Sequence, residues 1–137
     1  MTTEKLDEKL VRYLMARLGC THPFYISRIL FLADSVSLNT RGKRITNLSY
    51  RGESFGFYIV ELPDIIEKLE EEGCAIRDEK RGCIKYTCET PRLDREIRDL
   101  LEKVVEENRT LSPRELNHKA LKDPNYTILV EEESPRG

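Results

Sequence analysis

The side chains of this chain that could do metal or redox chemistry are four cysteines, Cys20, Cys74, Cys83 and Cys88, and two histidines, His22 and His118. Cys20-Thr21-His22 and Cys83-x4-Cys88 hold the right ligand types. Neither has the Cys-x2-Cys spacing that brings two thiolates onto one zinc ion. Cys74 and Cys88 read first as small core residues. A disulfide between them is the alternative, unusual in an ordinary cytosol and less so in a hyperthermophile. His22 stands at a helix start, where a cation is disfavoured, and His118 on a solvated helix. The chain has no Gly-x-Ser-x-Gly elbow, phosphate-binding glycine loop or His-Glu-x-x-His pair, so no constellation for catalysis emerges. The expectation is a protein that is not an enzyme and holds no metal and no cofactor.

The elements that position these residues follow from periodicity. Leu6, Leu10, Leu14 and Leu18 recur every fourth residue, with Val11 and Met15 beside them, which predicts a helix over 4–18 ended by Gly19. Thr21 as N-cap and Pro23 in the first turn open a second helix, PFYISRILFLADSVSL. It is apolar nearly all round and so is central. A turn at Gly42, an extended piece over 45–50 and a loop over 52–56 follow. Pro63 opens a short helix to Glu72 with Ile65, Ile66 and Leu69 inward. Thr90-Pro91 opens a long one with Leu93, Ile97, Leu100, Leu101, Val104 and Val105 inward. Ser112-Pro113-x-Glu115 is a full capping box for a last helix, and Asp123-Pro124 ends it.

Between the third and fourth helices, CAIRDEKRGCIKYTC alternates like a hairpin. A three-residue loop, Lys80-Arg81-Gly82, gives Gly82 the left-handed position. Cys74 then faces Cys88, Ile76 faces Tyr86 and Asp78 faces Ile84, with Cys74, Ile76, Ile84, Tyr86 and Cys88 on one face. An even-numbered loop would scatter these over both faces.

A helix followed by a basic-tipped hairpin is also how a winged helix meets DNA. Lys80, Arg81 and Lys85 suit a wing, and Arg41, Lys43, Arg44 and Arg51 form a second basic cluster. The helix that would enter the groove is acidic, with Asp64, Glu67, Glu70 and Glu71 facing out and no Asn, Gln or Arg to read bases. Overall, 23 Lys and Arg against 25 Asp and Glu leave a net charge of −2. Attraction to nucleic acid must therefore come from a local patch. DNA binding is the alternative function rather than the first.

Several pieces together resemble the SocA-like, or Panacea, antitoxin domain. These are ISRILFLADSVSLNTRGKRITNLSY with its helix, Gly turn and strand, the helix LPDIIEKLEEEGCA, and the closing LEKVVEENRTLSPRELNHKALKDPNY. The likeness runs from about Val11 to Tyr126. Where that family usually has a Gly-Pro step, this chain has Phe55-Gly56-Phe57. A shorter likeness to the winged helix of MarR-type regulators rests on LEEEGCAIRDEKRG alone. The first resemblance implies a non-catalytic protein that neutralises a toxin, or adapts a partner to a protease, by direct contact. Exposed Phe55, Phe57 and Tyr58 would be the contact residues; their other role would be to cover the central helix.

The sequence thus predicts one α+β domain over 1–130, mainly helical and winged-helix-like, with a small antiparallel β-hairpin and a charged, disordered tail over 131–137. A chain of 137 residues buries enough surface to need no staple. The absence of Gln and Trp beside abundant Glu, Lys and Arg is a thermophile's composition. With no signal-peptide core and no membrane-length apolar run, a cytoplasmic location is expected. The partner is an unknown protein, and a homodimer is left open.

Overall fold

A computed structural model describes residues 2–54 and 56–132, with side chains from residue 6 onward. Phe55 and the stretch 133–137 lie outside it. The described chain is mixed α+β and 55% helical, with six helices and small sheets of two and three strands. No helix is long and apolar enough to cross a membrane.

The leucine stripe forms α1 (Thr2–Leu18), which Gly19 ends in the left-handed conformation at φ 80°. The apolar run forms α2 (Pro23–Arg41), with Ile26, Ile29, Leu30, Phe31 and Ala33 fully buried. Its N-cap is His22 rather than Thr21: His22 Nδ1 accepts from the Phe24 amide at 3.0 Å. Thr21 is engaged elsewhere, bridging Ile84 through two backbone hydrogen bonds of 3.0 and 2.8 Å.

Within 52–56, expected as a loop, Gly52, Glu53 and Gly56 are instead paired in a second hairpin. β1 (Tyr50–Glu53) pairs antiparallel with β2 (Gly56–Ile59), Tyr50 facing Ile59. β1 also pairs in parallel with β5 (Val130–Glu131), some eighty residues on. Tyr50 and Phe57 then pack with Phe31 of α2, ring centroids 5.4 and 4.8 Å from it. That aromatic cluster repays burying β1, whose own pattern is too polar and glycine-rich to declare a strand.

α3 (Leu62–Glu71) begins one residue before Pro63 and buries Leu62, Ile66 and Leu69. The following hairpin, β3 (Ala75–Asp78) and β4 (Cys83–Tyr86), differs from the expected register. Ala75 faces Tyr86, Arg77 faces Ile84 and Asp78 faces Cys83, so the loop is the four residues 79–82. The Gly82 amide donates to the Asp78 carbonyl at 2.8 Å and the Arg81 amide to the Asp78 carboxylate at 3.1 Å, which locks the longer loop. β4 is also held by Thr21 on its other edge. The cost predicted for an even loop is real: Ile84 is buried, and Ile76 is left 56% exposed. Two disulfides offset it. Cys74–Cys88 closes the open end of the hairpin, and Cys20–Cys83 ties β4 to the α1–α2 junction.

α4 (Arg95–Asn108) starts at Arg95, not at Pro91; its N-cap is Asp94. The chain before it is drawn along the hairpin, where the Tyr86 hydroxyl donates to the Glu89 carbonyl at 2.7 Å. α5 (Pro113–Leu121) carries the capping box as expected, and a single turn, α6 (Tyr126–Leu129), leads into β5. α2 packs against α1, α4, α5 and α6 and against β2, as its all-round apolar surface requires.

Candidate functional site

Among the described residues, the hollow with the most apolar walls lies where the first turns of α2, strand β2 and the start of α3 converge. It encloses about 370 Å³, within the range of small recognition sites. Phe24 and Pro23 form one wall, Tyr58 and Ile59 the second, Leu62, Pro63 and Ile66 the third. Glu53 and Arg77 stand at its margin, and Arg77 is already paired with Glu70 at 2.6 Å. Larger hollows exist elsewhere but are lined by polar groups. One, of about 440 Å³, contains Arg17, Glu106 and Arg109, which are bonded to one another.

Arg28 lies in the floor of the apolar groove, 3% exposed. Its guanidinium is sandwiched between the rings of Phe24 and Phe57, 4.2 and 4.0 Å from their centroids. Nε and Nη2 donate to Asn117 Oδ1, and Nη1 donates to Ser27 Oγ and the Phe57 carbonyl. Burial drives the arginine's pKa down to about 10, partly countered by the field of Glu53. The cation is retained, in a place where desolvation works against it.

A second buried polar centre, Asp34, organises the strand approach rather than a surface. Fully buried, it accepts from the amides of Ile45 and Thr46 at 2.9 and 3.0 Å and from the hydroxyls of Thr46 and Tyr50 at 2.6 and 2.7 Å. Arg44 pairs with it at 3.2 Å. Burial first, and then the Asp34 charge, hold the Tyr50 hydroxyl protonated well above its ordinary 10.0. Every donor faces the carboxylate, as a buried acid requires.

The residues expected to bind a partner divide. Tyr58 is 37% exposed on the groove wall, as a contact residue should be. Phe57 is not an exposed anchor: at 1% exposure it belongs to the core, and it underlies the groove with Arg28 stacked over its ring. Phe55 falls outside the described residues. The residues expected to touch nucleic acid are not gathered into one patch. Arg41 pairs with Glu96 at 3.4 Å and Arg44 with Asp34, which leaves Lys43 and Arg51 exposed there. Lys80, Arg81 and Lys85 are exposed on the β3–β4 hairpin, beside an outer face of α3 that carries Asp64, Glu67 and Glu71.

One cluster among the described residues has metal-ligand types, Cys20, Asp78 and Cys83, with ligand atoms within 4.8 Å of one another. Its two sulfurs are joined to each other, so the thiolates that a metal needs are absent while the bridge stands. What the sequence reading passed over was Arg28. The signal was there: ISRILFLAD carries two charged side chains, Arg28 and Asp34, on a helix otherwise apolar nearly all round. Such residues must be paired, hydrogen-bonded or functional.

No family model, curated protein or solved structure matches this chain.

Proposed function

We propose that the protein is a non-enzymatic binding module of antitoxin or adaptor type, which takes an apolar segment of a partner protein into the groove between α2, β2 and α3. The observation that carries the reading is the groove itself: apolar walls around a half-open Tyr58, next to a rigid aromatic core. Aromatic anchors beside desolvated pockets are where binding energy concentrates. The Panacea resemblance supports the same reading, since its members act by contact. The winged-helix reading of the fold is supported by α3 running straight into the β3–β4 hairpin, although the acidic outer face of α3 suits a protein partner better than DNA. A thermophile cytosol accommodates both the charge-rich composition and the two disulfides.

The test is retention of the native partner by the tagged protein. Capture should persist from ~0.1 to ~1 M salt, because an apolar interface is little screened. Tyr58→Arg should abolish it. A duplex-DNA shift that disappears steeply with salt and is lost in the Lys80→Ala/Arg81→Ala variant would overturn the proposal. Co-expression with a growth-arresting neighbouring reading frame, with rescue by the wild type and not by Tyr58→Arg, would identify the antitoxin form.

A further inference from the structure

The groove has apolar walls and a charged floor, and among the described residues that charge has no partner of opposite sign in contact. None of the ion pairs among the described residues includes Arg28. Its hydrogen-bond partners are an amide, a hydroxyl and a carbonyl, all neutral. They engage four of the guanidinium's five N–H groups; the fifth, on Nη2, has no acceptor among the described residues. Gly56 packs directly against that atom, since a Cβ there would stand 2.7 Å from Nη2. Neutral hydrogen bonds make the burial tolerable, but they leave the charge itself uncompensated.

We propose that the groove selects a partner segment bearing a Glu or Asp flanked by apolar residues, and that this carboxylate provides the countercharge missing at Arg28. The inference rests on the groove being the partner-binding surface and names the chemistry it recognises. Both faces of the guanidinium are covered by Phe24 and Phe57, so an anion must come edge-on, at the end of a slender apolar stem. An acidic side chain has that form. A phosphate needs several convergent donors, and one free N–H does not supply them. A chain terminus carries its carboxylate directly on the backbone, with no slender stem to reach past the walls of Ile59, Leu62 and Ile66. Glu53 at the margin is the opposing charge. It tempers Arg28 from a distance and would repel the incoming carboxylate.

The probes are fluorescein-labelled, end-capped hexapeptides with Leu, Ile and Phe around a central Glu, matched against the same peptides with Gln, and a third set with Gln and a free C-terminal carboxylate. Anisotropy titration against the full chain should show the Glu set binding roughly tenfold to a hundredfold more tightly than the Gln set, the size of a charge-assisted hydrogen bond. Glu53→Gln, an exposed change, should tighten the Glu set roughly threefold and leave the Gln set where it was. Arg28→Met, with folding checked by circular dichroism, should erase the preference; if it does not fold, Glu53→Gln carries the decision. Equal affinity for Glu and Gln, preference for the free-carboxylate set, or no binding of any set overturns the inference. Equal affinities beside native-partner capture that still depends on Tyr58 would sink this inference alone. Capture indifferent to Tyr58 would sink the function it rests on.

Discussion

Removing the Cys20–Cys83 bridge should cost more stability than removing Cys74–Cys88, although both tie down the same hairpin. The bridges span 63 and 14 residues of chain. In the loop-entropy description, closing those lengths restricts the unfolded chain by about 4.3 and about 3.0 kcal/mol at 25 °C, a difference of about 1.3 kcal/mol. Cys74 lies within the segment spanned by Cys20 and Cys83, so the closures overlap and their sum, about 7 kcal/mol, is an upper value. Against a typical total of about 5–15 kcal/mol, loss of both would bring the fold close to unfolding. The paired alanine variants are the proper comparison, because serine at Cys74, 7% exposed, would add the cost of burying a hydroxyl. Urea unfolding without reductant, followed by circular dichroism, reads the two losses directly. Alkylation and intact mass first verify that no thiol is free in the wild type. Equal losses for the two pairs, or a larger one for Cys74–Cys88, would refute the entropic reasoning and assign the stabilisation to native contacts.

Asp34→Ala should cost ~3–5 kcal/mol in the same assay, because it strands Arg44, Tyr50 and two amides around a buried gap. Asp7→Asn should do the opposite at neutral pH. Burial raises the Asp7 pKa above its ordinary 3.8, the Asn47 amide pulls it down, and the charges of Asp34 and Glu61 push it up. A carboxyl with a raised folded-state pKa stabilises most below its unfolded pKa and loses that contribution as pH climbs through the folded value. The variant's melting temperature should therefore exceed the wild type's at neutral pH and converge with it below 3.8; a gap that widens on acidification would contradict this. Gly56→Ala should destabilise by about 1–3 kcal/mol and weaken partner capture, since φ is +145° and the new methyl would meet Arg28 Nη2.

How much of this was legible depended on how far each interaction reaches along the chain. The stripe of Leu6, Leu10 and Leu14, the left-handed Gly19 and the Ser112–Glu115 box involve partners within four residues, and they appear as read. β1 was illegible because its reasons lie far off: Phe31 on α2 and Val130 near the end of the described chain. The hairpin register failed for a related cause. Alternation alone favoured burying Ile76, but the bridge to Thr21 and the bond to Cys20 hold β4 from outside and outweigh one exposed isoleucine. Of the two described aromatics expected to be exposed, Tyr58 is and Phe57 is not. A strand's alternation shows which residues share a face, and only packing shows which face is covered.

By itself, then, the amino-acid order determined the main helices, most of their ends, the central place of α2 and the absence of a recognisable catalytic motif. All of these follow from local hydrogen bonding, residue spacing and side-chain chemistry. Tertiary structure decided which cysteines bond, how the hairpin is registered, and that Arg28 ends between two aromatic rings beneath an apolar groove. Those outcomes depend on segments distant in sequence meeting in space, where the burial of a charge or the pairing of two sulfurs is set by neighbours that no local pattern names.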